Sequence, residues 1–297
     1  MMLIRLPPLL LLLFSSILLL LRTASSTTDA SDLGVLQAFL SGIENPTLLP
    51  DWSGNDPCGS NWAHIQCSGS RVTQIQLKGV GLRGSLPSTL NQLTYLEQIA
   101  LQGNSFYGAL PSFSGLSQLS SAYLGAQNFT SIPADFFNGL SSLTVLSLED
   151  NPLDSWSLPL DLASCTLLTT LSLTNTSLTG SIPSFIGNLT LLQELRLAYN
   201  LLSGTLPSSL SGLAQLTRLE LNNQIGSGSG SGSLSGPIDV VGLLPSLKTL
   251  WIQVNGFTGS IPASLGSALS LSDCRLNDND LVGLVPSTFS SSSFICI

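Results

Sequence analysis

Few residues of this chain have the chemistry of catalysis. His64 is the only histidine in 297 residues, and no nucleophile or acid is placed beside it in the way a general base requires. A structural role is expected for it. The glycine-rich stretch 226–233 lacks the lysine and the following helix of a phosphate-cradling loop. Kinase H-R-D and D-F-G signatures and clusters with metal-ligand spacing are missing from the sequence as well. No enzyme activity, cofactor or metal is expected.

The chemistry that remains is covalent processing. Cys58 and Cys67 lie close together around Trp62 and read as a disulfide, which would stabilise a small cap by about 2–3 kcal/mol. Cys165 and Cys274 fall where an inward apolar residue is required and read as buried free thiols. Cys296 is left over, either unpaired or paired between chains. Glycosylation sequons stand at Asn128-Phe129-Thr130, Asn175-Thr176-Ser177 and Asn188-Leu189-Thr190.

Both modifications belong to the secretory pathway, and the N-terminus agrees. Arg5 precedes an apolar run from Leu9 to Leu21, and the small residues Ala24, Ser25 and Ser26 follow. Residues 1–26 therefore read as a signal peptide. The alternative is an uncleaved signal anchor, since 3–21 is nearly long enough to span a bilayer; Pro7 and Pro8 favour cleavage. No second apolar run of spanning length follows, so a membrane is met only through that leader or through a part beyond this sequence. Removal of Arg5 and Arg22 with the leader takes the net charge from −8 to about −10, which excludes a basic nucleic-acid footprint.

The elements that must position all this come from periodicity. Only 9% of residues are charged and 43% are apolar, and the apolar residues are mostly leucines at fixed spacing. The pattern L-x-x-L-x-L-x-x-N-x-L-x-G-x-[IL]-P, about 24 residues long, starts at Val72, Leu96, Leu119, Leu143, Leu168, Leu192, Leu216, Leu247 and Leu271. In the sixth repeat Leu195 and Leu197 alternate with Glu194, Arg196 and Ala198, which predicts a short strand with its leucines inward and the other three facing solvent. Asn200 then turns the chain, its amide bonding backbone groups left unpaired by the bend; Asn104, Asn151, Asn255 and Asn279 hold the same place. Stacked coils give an α/β repeat solenoid with a parallel concave sheet.

Residues 27–70 read as an N-terminal cap, with a helix over 32–40 capped by Ser31 or Asp32. Residues 71–294 hold the nine repeats, interrupted by a flexible Gly-Ser insert at 226–233 that need not disturb stacking. The segments 128–133 and 153–159 lack the glycine, so a second strand is not expected in coils three and four. Binding residues are sought among outward positions of the strands: Tyr123, Arg196, Tyr199, Arg218, Glu220, Trp251, Gln253, Asp273 and Arg275. Tyr123, Tyr199 and Trp251 have the large contact area of binding hot spots.

The stretch L-x-G-x-[IL]-P resembles the plant class of leucine-rich repeat, which implies a superhelix with a disulfide-stapled cap. Finer details point further: Asp56-Pro57-Cys58 with Trp62, His64-Ile65 and Cys67; Arg71-Val72-Thr73-Gln74-Ile75-Gln76; Pro111-Ser112-Phe113-Ser114-Gly115-Leu116; residues 131–140; Asp150-Asn151-Pro152 and Ser155-Trp156. These resemble the first block of the ectodomain of TMK (transmembrane kinase) receptor-like kinases. The resemblance implies an extracellular ligand-binding part in plant growth signalling of the auxin type, at the plasma membrane in a full receptor or in the apoplast. A protein or peptide ligand, a co-receptor or an auxin-binding protein would be its partner. Residues 295–297 would begin a cysteine-containing island, with the kinase outside this sequence. The alternative is a free apoplastic inhibitor of a cell-wall-degrading enzyme, similar to polygalacturonase-inhibiting proteins; those close their C-terminal end with paired cysteines.

Overall fold

The computed structural model describes residues 27–59, 62–224, 233–266 and 270–291. The leader, Cys296 and nearly all of the Gly-Ser insert lie outside the described residues.

Period-two alternation does produce short strands. Glu194–Arg196 is a three-residue strand between Thr170–Ser172 and Arg218–Glu220, in parallel register. Among the described residues, ten strands form the concave sheet; nine are parallel, one from each coil, and Ile65–Ser68 of the cap joins antiparallel at the N-terminal edge. Leu192, Leu195, Leu197 and their equivalents are fully buried in a continuous core running from Val35 to Leu276. Ala198 departs from expectation. It is 2% exposed, because it lies past the strand, where its neighbours cover so short a side chain.

The asparagine row is as the pattern predicts. Asn200 Nδ2 donates to the carbonyls of Leu173 and Leu197 at 2.7 and 2.9 Å, while Oδ1 accepts from the amides of Thr176 and Leu178 at 3.0 and 2.9 Å. The same place in coils three and seven holds Gln127 and Gln224, which bond equivalent groups. One extra methylene still delivers the amide.

Opposite the concave strands, second strands form on the lateral face. Coil three has one despite its missing glycine: Asn128–Ser131 pairs with Ser105–Ala109. Phe129 fills the inward place, and a register shift at Gly108/Ala109 absorbs the altered spacing. Coil four lacks a second strand, as expected, and makes only an isolated bridge from Trp156 to Leu178. Beyond the insert, Leu234–Pro237 resumes the lateral sheet between Gly204–Thr205 and Gly256–Thr258. The pattern of the coil is thus taken up again at Leu234.

The cap helix spans Ala30–Ser41, and its N-cap is Asp29, not Ser31 or Asp32. Asp29 stands before the first turn, where its carboxylate reaches the free amides of Ser31 and Asp32. Asp32, on the inward side of that turn, is instead fully buried and accepts from Arg71 Nε and Nη2 at 3.0 and 2.7 Å and from the Val72 amide at 2.8 Å. Trp52 and Trp62 stack at 5.1 Å, and Phe39 joins the cap to Phe106. The Cys58–Cys67 disulfide closes the cap. His64 takes a left-handed turn (φ 71°), and its carbonyl accepts the Gln76 amide.

The remaining cysteines differ from each other. Cys165 is a buried free thiol, pushed up to about 11 by burial. It should therefore resist a thiol reagent such as iodoacetamide at pH 8 and react once urea unfolds the chain; full labelling of the native protein would contradict this. Cys274 is not a free thiol but disulfide-bonded, with its partner outside the described residues. An inward position fixes burial and says nothing about a second cysteine brought alongside by folding. Among the described residues, no helix is long and apolar enough to cross a membrane.

Candidate functional site: the concave face of coils six to nine

Because parallel register places equivalent positions side by side, outward residues form rows across the coils. Glu194, Arg218, Thr249 and Asp273 make one row; Arg196, Glu220, Trp251 and Arg275 make the next. Within each charged strand the two residues pair: Arg196 with Glu194, Arg218 Nη1 with Glu220 at 2.7 Å, and Arg275 Nε with Asp273 at 3.4 Å. The sign order reverses between the adjacent strands of coils six and seven. Half-exposed pairs of this kind contribute little to stability, on the order of 0–1 kcal/mol each; their effect is to hold long side chains in place.

Trp251 completes coil eight. Its Nε1–H donates to Asp273 at 2.8 Å, and the guanidinium carbons of Arg275 and Arg218 lie 4.1 and 5.9 Å from its ring centroid. The indole is thus half-buried and already engaged with two cations, so it works with Arg218 and Arg275 rather than as an isolated anchor. Glu220 is only 8% exposed, and it serves mainly to orient Arg218. Tyr199 stands free at 58% exposure. Tyr123 is half-buried three coils away, so it does not join this cluster.

Gln253 is half-buried, and its Oε1 is a buried acceptor without a hydrogen-bond partner among the described residues. Asn222 Oδ1 and Gln102 Oε1 share that condition, and Arg196 Nε is a buried donor likewise without a partner among the described residues. Asn222 and Gln102 were not among the outward residues singled out from sequence, although their place after the strand could have identified them. Coils three to five present a different surface: Ser121, Val145, Ser147, Thr170 and Ser172, with Ser172 donating to Glu149. No lysine, arginine or histidine occurs between Arg83 and Arg196. The arginines of the two concave rows therefore stand in coils six, seven and nine, and coils two to five carry no cation. Asn128, Asn175 and Asn188 are all exposed, and Asn175 donates its amide to Asp150 at 3.0 Å. Among the described residues, no group of three or more histidine, cysteine or acidic side chains could hold a metal.

A coil of strand, turn and, in most coils, lateral strand, repeated under a disulfide-closed cap, defines the class: the chain is a leucine-rich-repeat protein of the plant type. The family profile for the leucine rich repeat N-terminal domain matches residues 29–68, and that for the Leucine Rich Repeat matches 167–189, 191–213 and 246–268. Within the class, the sequence is similar to the receptor-like kinase TMK2 of Arabidopsis thaliana, with 37% identity over 80% of this chain and 27% of that protein. It is also similar to the receptor protein kinase WSS1 of Oryza sativa subsp. japonica, with 52% identity over 79% of this chain and 25% of that protein. The chain thus spans about a quarter of the length of these curated relatives. In three dimensions it resembles the Arabidopsis receptor kinase HAESA, solved in complex with the peptide hormone IDA and the co-receptor SERK1. That likeness has a TM-score of 0.76 and 30% identity, over 89% of this chain and 44% of HAESA's.

Proposed function

We propose that this chain is the extracellular binding part of a plant receptor-like kinase and that coils six to nine of its concave face take a peptide or protein ligand. The arrangement of Arg218, Trp251 and Arg275 carries the reading: large side chains, pre-oriented by Glu220 and Asp273, on neighbouring strands held in parallel register. Ordering such groups before binding lowers the entropy lost on association. Growth signalling of the auxin type, with an auxin-binding protein or co-receptor as partner, is the finer reading; it rests on the resemblance to TMK receptors. The chain would follow the secretory pathway to the apoplast or the plasma membrane, with glycans at Asn128, Asn175 and Asn188.

The test is binding of fractionated apoplastic peptides and proteins to the purified chain. Replacing Tyr199 and Arg275 together by alanine should weaken the saturable component at least tenfold, roughly 1.4 kcal/mol or more. Ser211→Ala, on the outer turn of coil six, should leave it unchanged. Equal binding by the concave variant would remove the reading.

A free inhibitor of a cell-wall-degrading enzyme is the second reading. One observation favours it: Cys274 in the ninth coil is disulfide-bonded, and inhibitors of that kind close their C-terminal end through cysteines. Inhibition of a fungal polygalacturonase by the purified chain, with no binding of apoplastic peptides, would establish it in place of the first.

A further inference from the structure

The absence of a second strand in coil four leaves a gap in the lateral face, and the gap has a defined interior. A cleft of about 200 Å³ opens there between coils three and four, walled by Ile132, Pro133, Ala134, Phe137, Trp156 and Pro159, with Ser157 adding a hydroxyl. We propose that this cleft binds a small aromatic molecule, neutral or cationic, whose ring lies against Trp156 and Phe137.

Its walls are fixed before any ligand arrives. Trp156 donates Nε1–H to the Thr176 carbonyl at 2.9 Å and bridges to Leu178. Phe137 is 1% exposed and packs edge-on against Phe136 at 5.1 Å, which itself stacks on Phe113 at 4.7 Å. Pro133 and Pro159 restrict the backbone on either side. A cleft with rigid aromatic walls loses little entropy on binding, and its volume suits a single ring with a short substituent; drug-sized ligands occupy roughly 300–1,000 Å³.

Charge decides the class further. The cleft is lined by no ionisable side chain, and exposed Asp135, Asp154 and Asp161 each lie within two residues of a lining position. The nearest cations in sequence are Arg83 and Arg196. A carboxylate would therefore enter a negative field without a counter-charge, whereas an ammonium would be favoured at the rim. The surroundings also argue for a small molecule over a protein. A stable protein interface needs about 800 Å² from each partner, and this apolar notch gives way at once to Ser155 and the three aspartates.

The experiment is ligand-observed saturation-transfer NMR on the full chain with 2-phenylethanol, phenethylamine and phenylacetate, which share a ring and differ in head group. The alcohol and the amine should bind saturably, and phenylacetate at least threefold more weakly than the amine. Ala134→Phe and, separately, Ser157→Phe, both at exposed positions, should abolish the signal without moving the thermal midpoint. Absence of saturable binding, retained binding in both filled variants, or equal affinity for the acid and the amine would overturn the proposal. The outcome is independent of whether the concave face binds a peptide.

Discussion

Asn200→Ala should destabilise the chain by about 2–5 kcal/mol, because it removes the acceptor of two buried amides at once. The count matters more than the number of bonds drawn. The Leu173 carbonyl keeps the Thr176 hydroxyl at 2.8 Å, and the Leu197 carbonyl keeps Gln224 at 2.7 Å. The amides of Thr176 and Leu178, in contrast, have Asn200 Oδ1 as their acceptor. Each orphaned donor in the core costs roughly 1–3 kcal/mol, and a solenoid has only neighbouring coils to share the loss. Asn200→Gln should cost about half as much, since Gln127 and Gln224 in coils three and seven each accept one amide of the preceding coil where Asn200 accepts two. Urea denaturation would measure both. A loss below 1 kcal/mol for the alanine variant, or equal losses for the two, would show that water reaches these amides.

Arg71→Ala should cost about 3–5 kcal/mol, although Arg71 is the more exposed member of its pair. Its side chain is 25% exposed, whereas that of Asp32 is fully buried. Taking away the cation leaves a carboxylate inside the cap with the Val72 amide as its remaining partner. Asp32→Asn leaves the opposite remainder: a guanidinium that can turn to solvent and still lies 4.4 Å over the Tyr95 ring. That variant should lose less, roughly 1–2 kcal/mol. The order of the two is the test, read by denaturation together with hydrogen exchange in the 30–41 helix. If Asp32→Asn proves the more damaging, the pair acts through the helix and not through a buried charge.

These two sites were unequally legible in the sequence. Asn200 recurs at a fixed place in a repeated pattern, and the same place would have revealed Gln127 and Gln224 had the amide rather than the residue name been followed. Asp32 looked like a helix cap because it opens a plausible helix; its partner lies 39 residues away, and no local rule connects them. The concave face shows the same division. Outward positions were readable from alternation, but the engagement of Trp251 by Arg218, Arg275 and Asp273 depends on side chains from three coils. Glu220 and Ala198 were read as outward, yet close packing between strands covers them.

Periodicity thus determined, by itself, the solenoid, the parallel sheet, the inward leucines and the turn asparagines, and the close spacing of Cys58 and Cys67 gave the cap disulfide, because each depends on residues within one coil or one short loop. The lateral strand of coil three, the tie of Cys274, the Asp32–Arg71 pair and the cleft beside Trp156 were decided only in the tertiary structure. The lateral strand, the ion pair and the cleft arise where one coil meets the next or meets the cap, and there the stacking of unlike side chains, which a repeat averages out, sets what is buried, what is paired and what stays open.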